Sequence, residues 1–217
     1  MHSLFIALIV ISVSYALYAL ARQSSQLRYI GNYRFHPAIR QKLKNKHPSL
    51  SDEQLDKVFQ ALRDYFYICN RAKRRMVAMP SQVVDDAWHE FILFTRSYER
   101  FCQQAYGKFL HHTPAEAMRT PTSAQDGIKR AWRLACLKEK ISPKTPSRLP
   151  LLFALDAQLA ISNGFIYSLN CIPGSGSYCV NHIGCGGGCS AGCGGGADGN
   201  GCSSDGGCSG GCGGGGD

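Results

Sequence analysis

At 217 residues the chain holds one domain of ordinary size plus appendages, which excludes a large multidomain architecture. Its net charge of +9 suits an anionic surface nearby, lipid headgroups or nucleic acid, rather than a cationic one. Eleven cysteines, an odd number, cannot all pair with one another inside one chain. The charge is also uneven. Residues 172–217 contain no Lys or Arg and three aspartates, Asp198, Asp205 and Asp217, so the preceding body is more basic than the chain as a whole.

Residues 4–21 (LFIALIVISVSYALYALA) carry no charge. Eighteen helical residues span about 27 Å, close to the hydrocarbon thickness of a bilayer. The segment therefore reads as a transmembrane anchor over 1–21. A cleaved leader is the competing reading, because Ala19-Leu20-Ala21 has small-x-small character and cleavage near Ala21 would release a secreted protein. Basic residues flank only the far side, beginning with Arg22, Arg28 and Arg34. That asymmetry predicts a single-pass membrane protein with its body and C-terminus in the cytoplasm, where cysteines are thiols or metal ligands. Residues 22–50 then read as a basic juxtamembrane segment facing membrane lipids, at about 1 kcal/mol per basic residue held near an anionic leaflet.

Residues 51–171 read as a helical domain. Ser51 and Gln54 form a capping box, and Leu55, Val58, Phe59, Leu62, Tyr65, Phe66 and Cys69 follow at helical spacing, which predicts a helix over 52–72. It runs into a basic patch, Arg71, Lys73, Arg74 and Arg75. Cations at a helix C-terminus complement its dipole, and the same residues could also meet nucleic acid. After Met79-Pro80, Ser81 caps a second helix, predicted to run unbroken over 82–105 and to end at Gly107. Thr113, Pro114 and Glu116 look like another helix start. A helix over 124–140 places Ile128, Trp132, Ala135 and Cys136 inward, a short one covers 151–159, and 165–169 reads as extended. The fold class is all-α: a transmembrane helix, a bundle-like helical domain and a tail.

The tail, 172–217, holds twenty of the 24 glycines and seven of the 11 cysteines, a composition that predicts disorder. Cys179, Cys185, Cys189, Cys193, Cys202, Cys208 and Cys212 include three Cys-x3-Cys spacings that suit zinc or another soft metal ion, without the paired Cys-x2-Cys blocks of a defined zinc site. The alternative is a flexible low-complexity arm.

The chemistry concentrates around Asp85-Asp86-Ala87-Trp88-His89. Asp85 and His89 are one helical turn apart on one face, and His111 and His112 follow the Gly107 turn that can return the chain toward them. Asp85, His89, His111 and His112 form a candidate ligand or metal site; a structural His–Asp hydrogen bond is the competing reading. Cys69, Cys102 and Cys136 fit buried apolar positions better than reactive ones.

The Asp85–His89 run, Tyr98, Cys102 and Gly107-Lys108-Phe109-Leu110-His111-His112 resemble the glycine-rich domain-containing protein-like family, as does the stretch 149–171. The resemblance covers roughly residues 50–171 and implies a helical domain, with no reaction and no catalytic residues. Plant relatives carry an RNA-binding-type segment elsewhere, and this chain shows no aromatic-basic sheet motif of that kind. Three functions stay open. The leading one is a membrane-anchored, non-enzymatic binding or scaffold protein, with a protein partner and a metal-responsive tail. The others are a metal-dependent enzyme at Asp85, His89 and a loop histidine, and a nucleic-acid binder using the basic patch.

Overall fold

The computed structural model describes residues 2–73, 75–112, 121–169, 178–180 and 183, with residues 2–4 and 121–123 described by their backbone. All of these residues fall in one compact unit, residues 1–186. Among them are seven helices: α1 (His2–Gly31), α2 (Pro37–Lys46), α3 (Asp52–Ala72), α4 (Gln82–Leu93), α5 (Thr95–Tyr106), α6 (Pro121–Lys138) and α7 (Leu151–Gln158). Two short strands, β1 (Tyr167–Ser168) and β2 (Tyr178–Cys179), pair in parallel, with Tyr167 opposite Tyr178. The domain is all-helical apart from this pair, as the apolar periodicity predicts.

α1 is long and apolar enough to cross a membrane, with a mean hydropathy of 1.9 over an 18-residue window within Phe5–Gly31. Phe5 through Leu20 present exposed apolar side chains, such as Phe5 at 65% and Leu20 at 64% exposure. The helix then continues without a break into the domain. Gln26 accepts a hydrogen bond from Asn70 of α3 (3.2 Å), and Ile30 is fully buried.

Residues 22–50, read from the sequence as a basic juxtamembrane segment, also contribute to this packing. Ile30, Ile39, Leu43 and Leu50 all enter the core, and His36 caps α2 through its ring nitrogen with Pro37 at the first helical position. The density of lysine and arginine in this stretch concealed two inward-facing positions one turn apart, Ile39 and Leu43.

α3 spans the range its capping box and apolar stripe predict, and both bonds of the box are present. It is the central helix, packed against α1, α4, α6 and α7. The helix predicted over 82–105 is instead two. Phe94 leaves helical geometry (φ −84°, ψ 59°), and its ring moves toward α2, 5.5 Å from the His36 ring and within 5.7 Å of Lys42 Nζ. Bending the chain there lets α4 and α5 both face a shared aromatic core, where Phe91 contacts Tyr33, Phe35, Phe66, Tyr98 and Phe101.

The C-terminal boundary also moves. Tyr178 donates its backbone N–H to the Ile166 carbonyl (2.7 Å), Val180 is 1% exposed and Ile183 packs against the core. Within the segment read as a tail from 172, Tyr178, Val180 and Ile183 thus pack against the domain. The predicted disorder of the glycine-rich remainder and the helix start at Thr113, Pro114 and Glu116 lie outside the described residues.

Candidate metal centre

Three side chains from two segments meet at one point. Asp85 lies in the first turn of α4 and His89 one turn later; His112 comes from the loop after α5. His112 Nε2 is 2.9 Å from Asp85 Oδ1, and His89 Nδ1 is 3.6 Å from Asp85 Oδ2. The two imidazole rings are 4.4 Å apart between centroids. One potential ligand atom from each of the three lies within 4.8 Å of the others. His111 does not join them. It is exposed and its ring packs on Phe109, 4.9 Å away.

The loop is brought there by a chain of contacts that the break at Phe94 makes possible. Trp88 Nε1 donates to the Tyr98 hydroxyl (3.1 Å), although the two residues are ten apart and would stand about 15 Å apart along one straight helix. Tyr98 in turn donates to the Leu110 carbonyl, and its ring meets Phe109 edge-on at 5.2 Å. Gly107 ends α5 in the left-handed conformation (φ 71°) and starts the turn. His112 then lands edge-on against Trp88, 4.5 Å between centroids. Trp88 and Tyr98 thus position a ligand without being ligands.

Asp85 uses one oxygen toward each histidine, an arrangement that suits a cation between the three groups as well as it suits hydrogen bonds. Ligand atoms around a tetrahedral zinc ion stand about 3.3 Å apart. Rotation of the His89 side chain, 48% exposed, can close the remaining gap. The exposed side of His89 leaves a further coordination position open to solvent.

The adjacent carboxylate has a different role that sequence reasoning missed. Asp86 is buried and accepts from Lys46 Nζ (2.7 Å) and Gln82 Nε2 (3.3 Å), with His47 Nε2 at 2.8 Å. Burial pushes its carboxyl up, but the bonds from Lys46, His47 and Gln82 outweigh that and hold it below the ordinary carboxylate value. Asp156 was missed as well. It accepts from Ser81 Oγ (2.6 Å) and from the backbone N–H groups of Gln82 (2.6 Å), Val83 (3.3 Å) and Phe165 (2.9 Å), so it fixes the N-terminus of α4, from which Asp85 projects. The available signal was a lone acid in the apolar run Leu151-Leu-Phe-Ala-Leu-Asp156. Gly164 lets the chain pass beside it, since a Cβ there would stand 2.6 Å from Asp156 Cβ.

The remaining candidates separate cleanly. Cys69, Cys102 and Cys136 are buried, free thiols, and burial pushes Cys69 and Cys136 up to about 12 and raises Cys102 as well, so none is a ready nucleophile or ligand. Cys179 is disulfide-bonded, which removes it from the set of tail metal thiols. Cys185, Cys189, Cys193, Cys202, Cys208 and Cys212 lie outside the described residues, as does Arg74 of the basic patch. Arg71, Lys73 and Arg75 are exposed around the C-terminal end of α3. A shallow open concavity lies elsewhere, on α1 and the turn after it. Its lining of Ser25, Arg28, Tyr29, Asn32, Tyr33 and Arg34 offers no imidazole, thiol or carboxylate, so the cluster at Asp85 is the better-founded site.

No curated protein and no solved structure shows a significant match to this chain. The profile of one uncharacterised family, described as UCP032817-like, matches residues 25–185. That span begins within α1, includes α2 to α7 and reaches past β2. It contains Asp85, His89 and His112 together with the elements that position them. By this match over most of its length, the chain belongs to the UCP032817-like family.

Proposed function

We propose that this protein is a membrane-anchored helical domain that binds a divalent transition-metal ion, zinc foremost, through Asp85, His89 and His112. The observation that carries the reading is the convergence of a carboxylate and two imidazoles within 4.8 Å from separate segments. Neutral imidazole and carboxylate are ligands of choice for such ions. The cluster sits at the surface rather than in an enclosed cavity, which favours binding over catalysis. With three protein ligands, the open position would take water or a donor atom from a protein partner.

In the same reading α1 is the anchor, and its basic C-terminal flank supports a cytoplasmic body. The disulfide at Cys179 is the observation on the other side, because disulfides persist in oxidising compartments. Kinship to the glycine-rich domain-containing protein-like family, supported by the Asp-x-x-Trp-His run, is part of the proposal.

The test is zinc and cobalt titration of the purified full chain by calorimetry and absorption, beside His89→Ala and His112→Ala. His89 makes no hydrogen bond below 3.5 Å and is half exposed, so its loss should change stability by less than about 0.5 kcal/mol. Metal affinity should nevertheless fall by more than about 100-fold, since even outer-shell partners are worth ~10–100-fold. A wild-type chain that takes up no ion, or a His89→Ala chain with wild-type affinity, would leave the cluster as a loop fastening.

A further inference from the structure

We infer that the end of the domain from which α1 emerges is a docking surface for anionic lipid headgroups, formed by Arg22, Arg71, Lys73, Arg75 and Lys108. This rests on α1 being a membrane span, and not on the metal site. The geometry starts from two hydrogen bonds between α3 and the α1 region. Arg63 donates to the Tyr33 carbonyl (3.4 Å), and seven residues later Asn70 donates to Gln26 (3.2 Å). α3 therefore runs antiparallel to α1, and each residue beyond Asn70 lies closer to the apolar segment that ends at Ala21.

α5 runs the same way. Phe101 meets Tyr29 at 5.9 Å between centroids, and six residues later Gly107 stands beside the Arg22 guanidinium, where a Cβ would be 2.7 Å from Nη2. Asn70 also donates to the Ala105 carbonyl (2.7 Å), which locks the two helix ends side by side. The C-terminal ends of α3 and α5 thus arrive together at the level of residues 22–26 of α1. Residues 22–26 span about 6 Å of helix, comparable to the headgroup layer on one side of a bilayer.

The charges at this end are set apart by their position beside the apolar segment of α1, since exposed cations without a carboxylate partner, such as Lys57, Arg96, Arg100 and Lys144, also occur elsewhere among the described residues. Arg40, Lys42 and Lys46 of α2 are each paired with a carboxylate, as are Lys138 and Arg148. Among the described residues no carboxylate pairs with Arg22, Arg71, Lys73, Arg75 or Lys108, and all five are exposed. A helix C-terminus supplies only about half a negative charge, so the dipoles of α3 and α5 do not neutralise five cations. Met76 and Phe109, at 37% and 41% exposure, stand among them as apolar contacts for the acyl boundary. An anionic membrane surface matches this set in sign and position. A nucleic acid would have to reach it past the bilayer that α1 enters.

The experiment places the full chain in nanodiscs of phosphatidylcholine, and of about three parts phosphatidylcholine to one part phosphatidylglycerol, and follows backbone hydrogen exchange. Residues 68–76 and 103–110 should exchange about fivefold more slowly in the anionic bilayer, the factor that corresponds to ~1 kcal/mol. High salt should abolish the difference. The combined variant Arg71→Glu, Lys73→Glu, Arg75→Glu, Lys108→Glu should lose it while α4 exchanges as before. The charge-neutral set of four glutamines, gentler on folding, should lose it too. A chain that elutes free of the nanodiscs sinks the span and the docking surface together. A retained chain that exchanges alike in both bilayers overturns the docking surface alone, as does protection of the same segments by an oligonucleotide and not by phosphatidylglycerol.

Discussion

Asp85 and Asp86 are neighbours in the chain and face different surroundings. Asp85 turns toward two histidines at the surface, whereas Asp86 turns inward and fastens the end of α2 to α4 through Lys46 and His47. The difference has a pH signature. Because the folded state holds the Asp86 carboxyl below its unfolded value, its contribution is fully present above the unfolded value and is lost as pH falls through the folded one. Asp86→Asn should therefore lower stability at neutral pH by about 1–3 kcal/mol, as for a disrupted buried hydrogen-bonded charge. In acid, below the folded value, wild type and variant should converge. Urea midpoints measured across pH check this, and a deficit that stays constant into acid would assign the effect to packing instead.

At the scale of elements, patterns with a single strong signal were legible and those with competing signals were not. α3 could be read to the residue because the capping box and a continuous apolar stripe agree. α2 was hidden beneath its charges, and the α4–α5 break left no glycine or proline to mark it, since it is made by the Phe94 ring finding α2 rather than by local propensity. The site followed the same rule. Asp85 and His89 are a local pair and were visible as such, whereas the choice of His112 over His111 depends on the long-range fastening of Leu110 by Tyr98. The β1–β2 pair makes a further expectation concrete. Deleting 187–217 should leave the melting temperature in reducing buffer unchanged, because that glycine-rich segment has little apolar surface to bury. Deleting 173–217 also removes β2 and the buried Val180, and should cost at least about 2 kcal/mol. Thermal unfolding of the two truncations decides it; equal melting temperatures would make the strand pair dispensable.

At the scale of the whole molecule, the proposal that α1 is a membrane anchor carries a test of the side on which the domain lies. The basic flank of α1 favours the cytoplasm and the Cys179 disulfide favours an oxidising space. A phosphatase that works only outside the cytoplasm, fused after Asp217, should be silent. An active fusion would reverse the topology, in agreement with the disulfide at Cys179.

α1 passes from apolar segment to domain core without a loop, with Gln26 and Ile30 held by neighbouring helices. A tethered domain samples many headings; one mounted on a shaft does not. With α1 as the proposed membrane span, tilting this domain means tilting the shaft in its bilayer, and turning it means turning the shaft about its own axis. The heading of His89 and His112 relative to the membrane normal is therefore fixed when the chain inserts. Partners in the same membrane would meet it by lateral diffusion with two orientational freedoms already removed, so contacts too small to hold a free domain could suffice here.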